Sequence, residues 1–552
     1  MNALEAASLV MIPSGYEDGT LGSLKPTDGT GDFTFSRGSN ISATRVNADG
    51  NIEKGYENLL LQSNSFDTTW GGAGFNFTPN QGGYDGSNDA WLMTSTATGY
   101  AACRLTQGVS FSGVSTLSVY AKGGSVDSFG LRTNEGTTIT WFELTGVGNA
   151  SSNGVIEPLD NDWYRCSVYV TGSHSSYRIY IGSTFSNYNV AAGDSIYIQD
   201  AMLNQGLVAY PYVETTTAPV AGGILEDMPR LDYSNGSCPS LLLEPSRTNR
   251  CTFSEYFQGA AWLSIGGPTI TTNYGISPEG VKNSTRIQFS GTNQCIYDGI
   301  SYTSEEVSTI YVKGTSGETI KFGKGDNIFV GDIFTLDGTW QRLKFVQSVS
   351  GNTFTINTSG GATARDIEIW GAQNEEGSYP TSYIPTYGVS QTRLEDFCEG
   401  AGNASTFNSS GGVLFFEGSA LFDDETRRHI SVSDGTTANR LTLRYDTISN
   451  NIQAFVQAGG LIYGNLRTSN YTITDNLKMA YKWESGNQKL YVNGQIVDSS
   501  TDVFTFNQNI LNDFSFTRGG SSTSQIFYGN TKQVAYFPTA LSDEACIELT
   551  TI

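Results

Sequence analysis

The sequence has few of the side chains on which most catalytic chemistry depends. It contains only two histidines, His174 and His429, and its seven cysteines include no CxxC pair. Histidine is the usual acid–base group near neutral pH, and a structural zinc site needs closely spaced cysteines. Catalysis built on histidine and a structural zinc site are therefore both disfavoured. Neither histidine lies in a setting that would activate a serine nucleophile.

The cysteines are odd in number and irregularly spaced. We expect most of them to be reduced and buried as small hydrophobes, as in a protein that folds in a reducing cytoplasm. The first ten residues lack a basic stretch followed by an apolar one, so no signal peptide is predicted. No segment approaches the ~20 apolar residues of a membrane span, so membrane insertion is not expected.

Positive charge is also scarce. The chain has 31 Lys and Arg against 54 Asp and Glu, which gives a formal net charge of -23, and charged residues make up only 15% of its 552 residues. The densest basic spot is Arg427, Arg428 and His429. Because a field of this sign repels phosphate backbones, we expect no nucleic-acid binding and read the charge as a contribution to solubility.

Glycine and aromatic residues are plentiful instead. There are 64 Gly, 29 Tyr and 29 Phe, a composition typical of β-sandwiches with polar loops and unlike that of disordered chains. Alternating segments such as Leu117–Ala121 and Ser308–Val312 predict half-buried strands. Apart from the extreme N-terminus, we expect a helix only after Ser542, which can act as an N-cap before two acidic residues. The predicted fold class is all-β.

The chain contains two diverged copies of one β-rich unit, from Leu59 to Tyr212 and from Leu241 to Pro385. Matching landmarks recur in the same order: Val119–Gly123 with Ile310–Gly314, Asp162–Arg165 with Gly338–Arg342, and Ile196–Ile198 with Ile367–Ile369. An enzyme usually needs one site, so duplication of a whole module favours binding or architecture.

This organisation and the usual domain size predict five parts. They are an N-terminal attachment segment (1–57), a first repeat (58–215), a linker (216–240), a second repeat (241–398) and a third sandwich (399–552). The segment 1–57 is too polar and glycine-rich to form a core alone. We therefore expect it to pack on a neighbouring subunit or on another protein.

Three sets of residues resemble segments of structural proteins of tailed bacteriophages. They are Asp32–Arg37 with Ala43–Asn47, Gly50 and Ile52–Glu53; Pro229–Tyr233 with Cys238–Pro245 and Arg247–Asn249; and Glu376–Thr386 with Thr392–Arg393. In that class such segments flank jelly-roll modules similar to carbohydrate-binding modules. The region 400–552 is similar to concanavalin-like and laminin-G sandwiches, through its hairpin Leu490–Gly494 and its closing segment Leu541–Ala545. The resemblance implies tandem jelly-roll sandwiches followed by a lectin-like sandwich.

The resemblance also implies a function: a non-catalytic protein of the virion surface, made in the host cytoplasm. A tail fibre or receptor-binding appendage is the first interpretation, and a capsid decoration or head-fibre protein is the alternative. A polysaccharide depolymerase is the third, although such enzymes are commonly long β-helices and no short regular β-helix repeat is visible. The expected partners are other virion proteins, a host-surface glycan and further copies of the chain, most simply as a homotrimer that gains avidity.

Aromatic residues in polar loops are the candidates for glycan binding, because sugar rings stack their C–H faces on such side chains. Four tyrosines lie among Gly, Asn and Ser: Tyr84, Tyr188, Tyr274 and Tyr471. Four tryptophans recur instead at matched positions of the two copies, which predicts packing roles: Trp70 with Trp262, and Trp163 with Trp340.

Acidic residues offer two weaker hypotheses. Asp85 and Asp89 share a loop with Asn88 and could contribute to a calcium site, although calcium needs six to eight oxygens and solvated turn residues are the favoured reading. Asp160 with Asp162, and Asp423 with its two acidic neighbours, could supply glycosidase carboxylates, but such pairs are expected by chance in an acidic chain. We therefore predict no required cofactor and no hydrolytic activity.

Overall fold

A computed structural model describes residues 3–17, 19–39, 42–96, 98–100, 103–134, 137–259, 261–302, 305–325, 330–347, 351–358, 364–519 and 525–552. Half of the residues lie in strands and 3% in helices, which confirms the predicted all-β class. The N-terminal segment contains 3-10 turns at Ala3–Ala6 and Pro13–Gly15 and the strands β1 (Leu9–Met11), β2 (Tyr16–Glu17), β3 (Thr20–Leu21), β4 (Thr34–Ser36), β5 (Thr44–Val46), β6 (Ile52–Lys54) and β7 (Tyr56–Asn58).

The first repeat forms a jelly-roll sandwich with one 3-10 turn, Asp160–Asp162. Its strands are β8 (Gly71–Ala73), β9 (Phe75–Gln81), β10 (Ala90–Ser95), β11 (Gly99–Tyr100), β12 (Arg104–Phe111), β13 (Val114–Gly123), β14 (Ser128–Arg132), β15 (Thr140–Glu143), β16 (Asn149–Ala150), β17 (Gly154–Pro158), β18 (Trp163–Thr171), β19 (His174–Gly182), β20 (Asn189–Val190) and β21 (Ser195–Gln205). Two short strands follow: β22 (Val220–Gly222) and β23 (Arg230–Asp232).

The second repeat and its flanks comprise β24 (Ser240–Leu243), β25 (Arg247–Asn249), β26 (Trp262–Ile265), β27 (Thr269–Thr271), β28 (Thr285–Phe289), β29 (Cys295–Tyr302), β30 (Glu306–Gly314), β31 (Thr319–Lys324), β32 (Val330–Thr335), β33 (Gln341–Gln347), β34 (Gly351–Asn357), β35 (Arg365–Glu376), β36 (Gln391–Arg393) and β37 (Phe397–Glu399). The C-terminal sandwich comprises β38 (Gly411–Ala420), β39 (Arg428–Ser433), β40 (Arg440–Tyr445), β41 (Ile452–Ala458), β42 (Leu461–Thr468), β43 (Leu477–Glu484), β44 (Gln488–Val492), β45 (Gln495–Ser500), β46 (Asp513–Ser515), β47 (Gly529–Phe537) and the helix α1 (Asp543–Thr550).

The two repeats have the same strand order, which confirms the duplication. The sheets of the first copy run β9-β10-β21-β13-β18-β17 and β8-β12-β19-β14-β15-β16. Those of the second copy run β27-β28-β35-β30-β33 and β26-β29-β34-β31-β32, with each strand in the place of its counterpart. Among the described strands, β17 and β16 at the sheet ends of the first copy and its short pair β11-β20 have no counterpart in the second.

A buried asparagine holds the start of each copy against its longest strand. In Asn58 and in Asn249 the amide nitrogen donates to two carbonyl oxygens and the amide oxygen accepts from two backbone N–H groups. The partners of Asn58 are the Ala201, Val213, Leu60 and Leu203 backbones, and those of Asn249 are the Ala372, Ile384, Cys251 and Asn374 backbones. Because every hydrogen-bonding position of each asparagine amide is used, the side chain holds backbone groups that no strand pairing satisfies.

Three of the four matched tryptophans pack as predicted. Trp70 and Trp262 are buried, and each indole N–H donates to a backbone carbonyl, that of Gln62 at 3.0 Å and that of Phe253 at 2.8 Å. Trp163 is also buried. Trp340 is only half-buried, so it does not share the packing of Trp163. The predicted packing role is confirmed for the first pair and for Trp163.

The C-terminal sandwich contains strands from outside residues 399–552. Its larger sheet runs β23-β24-β47-β38-β43-β44-β45, with β1 also on β47, and its second sheet runs β42-β41-β40-β39-β46. Five apolar side chains of the N-terminal segment lie in its core: Leu9, Met11, Leu21, Phe33 and Phe35. The expectation that segment 1–57 packs on another subunit or protein is therefore wrong, because its apolar partners lie hundreds of residues later in the same chain.

The helix predicted after Ser542 and the hairpin at Leu490–Gly494 are both present in the structure. The Ser542 hydroxyl accepts from the Ala545 N–H at the start of α1, and the turn Asn493–Gly494 has two positive φ angles, 48° and 78°, as a tight hairpin requires. All seven cysteines are free, and all but Cys238 are buried. No helix in the described part of the chain is long and apolar enough to cross a membrane.

Five charged residues that are distant in the sequence meet in one buried group, which we call the junction network: Arg37, Arg230, Glu244, Arg393 and Asp396. Arg230 lies 2.7 Å from the Glu244 carboxylate and also contacts Asp396, while Arg37 binds Asp396 at 3.0 Å and Arg393 binds Glu244 at 2.9 Å. Every one of these side chains is at most 6% exposed. Burial alone would raise the pKa of Glu244, but Arg393 and Arg230 lower it to about 2.

A second buried group, the Lys54 cluster, joins the N-terminal segment to both repeats. The Lys54 ammonium lies 2.7 Å from Glu255 and 2.8 Å from Glu279, and the Tyr383 hydroxyl donates to Glu255 at 2.9 Å. The ring of Tyr210, from the first repeat, lies 5.3 Å from the ammonium. The two clusters tie both repeats and the C-terminal sandwich to the N-terminal segment.

The repeats differ at one buried polar position. In the first copy the Gln107 amide donates to the Leu61 carbonyl at 2.7 Å and accepts from the Leu61 N–H at 2.8 Å. The paired strands place Asp298 at the equivalent position of the second copy, opposite Phe354. Asp298 is buried, one carboxylate oxygen has no hydrogen-bond partner, and burial raises its pKa to about 7.

We expect Asp298→Asn to stabilise the protein increasingly as pH rises from about 4 to 7. An unfolded Asp has a pKa near 3.9, so in this window the folded chain binds a proton that the unfolded chain has released, and wild-type stability falls by at most roughly 1.4 kcal/mol per pH unit from this group. Asparagine does not titrate. Thermal unfolding of both proteins between pH 4 and 8 measures the difference, and the exposed Asp337→Asn should show no such gain. Parallel stability curves for Asp298→Asn and wild type would contradict the assignment.

Candidate binding cleft

The outer face of one sheet of the first repeat carries cations and aromatic rings. Leu105, Ile179 and Leu131 face the core, so their neighbours along β12, β19 and β14 face outward. The strand register puts these outward residues in two rows across the sheet. The first row is Arg104, Tyr180, Gly130 and Trp141, and the second includes Thr106, Arg178 and Arg132.

A cleft of about 540 Å³ lies over these rows. It is lined by Arg104, Arg132, Thr137, Thr138, Ile139, Trp141, Ser151, Ser152, Tyr180, Ser186 and Tyr188. Hydroxyl groups and aromatic rings dominate the lining, and none of its described residues is an Asp or Glu. The size and the mixture of rings with polar groups are those of small-molecule sites.

Trp141 forms the aromatic centre of the cleft. Its ring is nearly parallel to that of Tyr188, with an interplanar angle of 10° and centroids 5.8 Å apart, and Tyr180 lies 6.2 Å from Tyr188. Two glycines beneath give the indole its place: a Cβ on Gly182 would lie 2.8 Å from the Trp141 ring, and one on Gly130 would lie 3.3 Å from it. The sheet is therefore free of side chains where the indole packs against it.

Three guanidinium groups share this face with the rings. Arg132 and Arg178 are directly opposite each other on paired strands, and Arg104 is opposite Tyr180. Arg178 donates to the Ser176 hydroxyl at 3.0 Å, and all three arginines have further contacts within the chain.

The second repeat lacks this chemistry on the corresponding face. Its first row is Cys295, Asn357, Lys321 and Ile333, and its second includes Tyr297, Thr355 and Gly323. Ile333 therefore replaces Trp141, and no arginine replaces any of the three. The duplicated frame is shared, but the ring-and-cation face belongs to the first copy.

A second cleft of about 360 Å³ adjoins the first and shares Arg132, Thr137, Thr138 and Ser152 with it. It extends towards Tyr169 and His174. The His174 Nε2 lies 3.0 Å from the Thr171 carbonyl and its Nδ1 lies 3.5 Å from the Asn134 amide, so both ring nitrogens have partners.

Of the four predicted tyrosines, only Tyr188 lines this cleft. Tyr84 lies on the other sheet, where its ring stacks on Tyr120 at 3.7 Å and its hydroxyl donates to Asp200 at 3.0 Å. Tyr274 is 43% exposed, with the Arg286 guanidinium 4.7 Å from its ring.

Tyr471 packs against the core of the C-terminal sandwich and donates to the Val492 carbonyl at 3.2 Å. This position indicates a structural role for Tyr471. Sequence reasoning missed Trp141, Tyr180 and the three arginines. The alternation Arg178-Ile179-Tyr180-Ile181 was the available signal, since it puts Arg178 and Tyr180 on one face.

Asp85 and Asp89 lie close together, as the calcium hypothesis requires, but the group between them is the side-chain amide of Gln199. The Gln199 Nε2 donates to Asp89 at 2.8 Å and to Asp85 at 3.3 Å, while its Oε1 accepts from the Tyr84 N–H at 3.1 Å. The amide nitrogen thus lies between the two carboxylates. Across the described residues, no group of three or more His, Cys, Asp or Glu is arranged to hold a metal ion. Calcium binding stays a prediction.

Two of the carboxylates considered for hydrolysis, Asp423 and Asp424, make hydrogen bonds or ion pairs that fix loops. Asp423 accepts from the Ser449 hydroxyl at 2.6 Å and from the Asn450 N–H at 2.8 Å, and Asp424 pairs with Arg428 at 2.6 Å. Asp160 and Asp162 lie in an exposed 3-10 turn. None of them borders the clefts described above.

Comparison with known proteins gives weak structural likenesses. No family model matches the chain, and no curated protein matches it. Similar solved structures include the Ruminococcus gnavus IT-sialidase CBM40, alone (17% identity, 28% of this chain and 93% of that chain, TM-score 0.24) and bound to alpha2,3 sialyllactose (16%, 26% and 83%, TM-score 0.23). Another is domain 4 of AbnA, a GH43 extracellular arabinanase from Geobacillus stearothermophilus, in complex with arabinotriose (15%, 30% and 77%, TM-score 0.23). At these TM-scores the likenesses are not evidence for a shared function.

Proposed function

We propose that the first repeat binds a glycan in the cleft over Trp141, and that the protein is a non-catalytic surface protein that presents this site. The observation that carries the proposal is the parallel pair Trp141 and Tyr188 within a cleft of about 540 Å³. A pyranose ring has one apolar C–H face, which packs on an aromatic ring, and hydroxyls that need hydrogen-bond partners.

The cleft supplies both kinds of partner. The partly exposed ring of Tyr188 offers apolar area, backed by the buried rings of Trp141 (6% exposed) and Tyr180 (1% exposed). Hydroxyl groups surround it, from Thr137, Thr138, Ser151, Ser152 and Ser186. Hydroxyls both donate and accept, so they match the hydroxyls of a sugar without a fixed orientation. The adjoining second cleft lets a longer glycan continue along the sheet.

We expect Trp141→Ala to weaken glycan binding at least about tenfold, the loss typical of truncating one anchoring aromatic residue. The full chain is screened against an array of bacterial surface polysaccharides, and its tightest ligand is then titrated by calorimetry against both proteins. Ile333→Ala, at the matching position of the second repeat, is the control and should bind as wild type does. Full affinity in Trp141→Ala would place the glycan elsewhere.

The wider proposal is a tail fibre or receptor-binding appendage of a tailed bacteriophage, working as a homotrimer at the virion surface. The segments that resemble phage structural proteins support it, and four of their charged residues, Arg37, Arg230, Glu244 and Arg393, meet in the junction network. The second candidate is a capsid decoration or head-fibre protein. Antibody labelling of particles in electron micrographs distinguishes them: label at the tail tip supports the first, and label on the head supports the second. Release of reducing ends from a bound polysaccharide, lost on Asp423→Asn, would contradict a non-catalytic role.

A further inference from the structure

Two arginines lie together on the outer face of the second sheet of the C-terminal sandwich. Leu441 and Leu443 of β40 lie in the core of this sandwich. Because side chains alternate along a strand, Arg440 and Arg444 face outward. Both guanidinium groups lie over the ring of Phe455 on the neighbouring strand β41, at 5.7 and 5.2 Å from its centroid.

Arg440 is buried without an opposite charge. It is 2% exposed, and the hydrogen bond that the structure gives its side chain runs from Nη1 to the Arg518 carbonyl at 2.8 Å. Its Nε is buried and has no hydrogen-bond partner. Within the described part of the chain, the guanidinium forms no ion pair. Removing a charge from water is costly, so arginine is almost never fully buried unless it is paired.

Arg518 is a second unpaired cation beside the first. Its side chain is partly exposed and forms neither a hydrogen bond nor an ion pair with any described residue. Residues 520–524, which follow it closely in the sequence, contain no Asp or Glu. Arg440 and Arg518 together therefore carry two positive charges without a carboxylate partner.

The carboxylate nearest to this face is already occupied. Asp446 lies 2.8 Å from Arg427, 3.0 Å from Arg444 and 3.5 Å from Arg467. One carboxylate balances at most one of these three charges. The group of arginines as a whole therefore keeps an excess of positive charge, in a chain whose net charge is -23.

A buried histidine in the same group also has a donor without an acceptor. His429 is fully buried, and its Nε2 lies 3.2 Å from the Arg444 Nη1, which donates to it. A neutral imidazole whose Nε2 accepts carries its proton on Nδ1, and this Nδ1 is buried without a partner. Burial, Arg518 and Arg444 lower the pKa of Arg440 to about 10, which reflects the same excess of positive charge.

We propose that this face binds a divalent oxyanion, of the phosphate or sulfate type, beside Arg440, Arg444 and Arg518. A dianion balances both unpaired guanidinium groups, whereas a carboxylate balances one. Guanidinium groups bind such anions through paired, charge-assisted N–H···O bonds. The partly exposed Arg518 gives the anion access from solvent. The site lies in a different module from the glycan cleft and does not depend on it.

The test is calorimetric titration of the full chain in phosphate-free buffer at pH 8 and constant ionic strength. The probes are inorganic phosphate, sulfate, and two monovalent anions, dimethyl phosphate and nitrate. We expect each dianion to bind at least about tenfold more tightly than either monoanion, because its second charge pairs with the second guanidinium. Phosphate should also raise the unfolding temperature, since it binds the folded chain only.

Variants locate the anion on the sheet. Arg518→Gln and Arg440→Gln should each weaken phosphate binding at least about tenfold, which corresponds to about 1.4 kcal/mol. Arg518→Lys should keep part of the affinity, because it keeps the charge but not the fork of donors. Arg518 is partly exposed, so its variants decide the question even if Arg440→Gln does not fold. Arg286→Gln, in the second repeat, is the control and should bind phosphate as wild type does.

Three outcomes would overturn the proposal. Equal effects of all four anions would reduce the observation to ionic screening. Wild-type affinity for phosphate in Arg518→Gln would place the anion elsewhere. Neither heat nor a rise in unfolding temperature with phosphate and sulfate would show that the arginines take no such anion. None of these results bears on the glycan cleft of the first repeat.

Discussion

Replacing Arg230 by methionine is expected to cost about 3–5 kcal/mol of unfolding free energy, the loss found when one partner of a buried ion pair is removed. Arg230 is fully buried, and its guanidinium binds both Glu244 and Asp396. Without it, Arg37 and Arg393 each retain one carboxylate, but neither spans both acids as Arg230 does. The remaining charges would stay desolvated with fewer partners.

The measurement is chemical denaturation followed by tryptophan fluorescence, with calorimetry to resolve the transitions of the modules. The expected loss falls on the transition that contains the second repeat and the C-terminal sandwich, because the junction network lies between them. Arg286→Met removes a surface partner of Asp366 that solvent screens, and it should cost far less than Arg230→Met. Equal, small losses for both substitutions would show that the network does not hold the modules together.

Lys54→Met is expected to be similarly destabilising, by about 3–5 kcal/mol, and to make stability depend more steeply on pH. Lys54 is the cation between Glu255 and Glu279, and all three are buried. Burial raises the pKa of Glu255 even with Lys54 in place. Methionine removes the ammonium that opposes this rise, so the folded-state pKa of Glu255 should move further above the unfolded value near 4.3.

The sign of the pH effect follows from proton binding. A folded chain that holds protons which the unfolded chain releases loses stability as pH rises, so the Lys54→Met variant should be closest to wild type near pH 4–5 and furthest from it near pH 8. Adding Glu255→Gln and Glu279→Gln should recover part of the loss. Lys313→Met, which removes a 40% exposed partner of Glu368, is the control and should cost less than about 1 kcal/mol. A pH-independent deficit would indicate lost packing alone.

The sequence was informative wherever the evidence was local or repeated. Ordered landmarks predicted the duplication, alternation predicted the strands, and Ser542 and Asn493 predicted a cap and a turn that the structure contains. Tyr188 was found because it lies in a polar loop. Its partner Trp141 was missed because the indole is held over Gly130 and Gly182, which belong to two other strands.

The failures concern contacts between distant parts of the chain. Composition suggested that segment 1–57 could not form a core, which is true of the segment alone, but Leu9 and Met11 complete a core built from residues after 400. Arg37 and Asp396 are 359 residues apart, so no window of sequence could pair them. The chemistry of the arginines in the cleft was equally hidden, because only the strand register puts Arg132 opposite Arg178.

The pairing of β1 with β47 has a consequence for biosynthesis. The Ser8 hydroxyl, next to β1, donates to the Tyr536 carbonyl, 528 residues later. At 5–20 residues per second, β1 is therefore synthesised roughly 25–100 s before its partner strand. Until β47 is made, β1 and the edge of β24 that does not face β23 lack their partner strand. Such edges are the kind of surface on which nascent chains aggregate or meet chaperones. A chain released early would keep these edges exposed, so proteolysis would remove incomplete copies before they could be incorporated into an assembly.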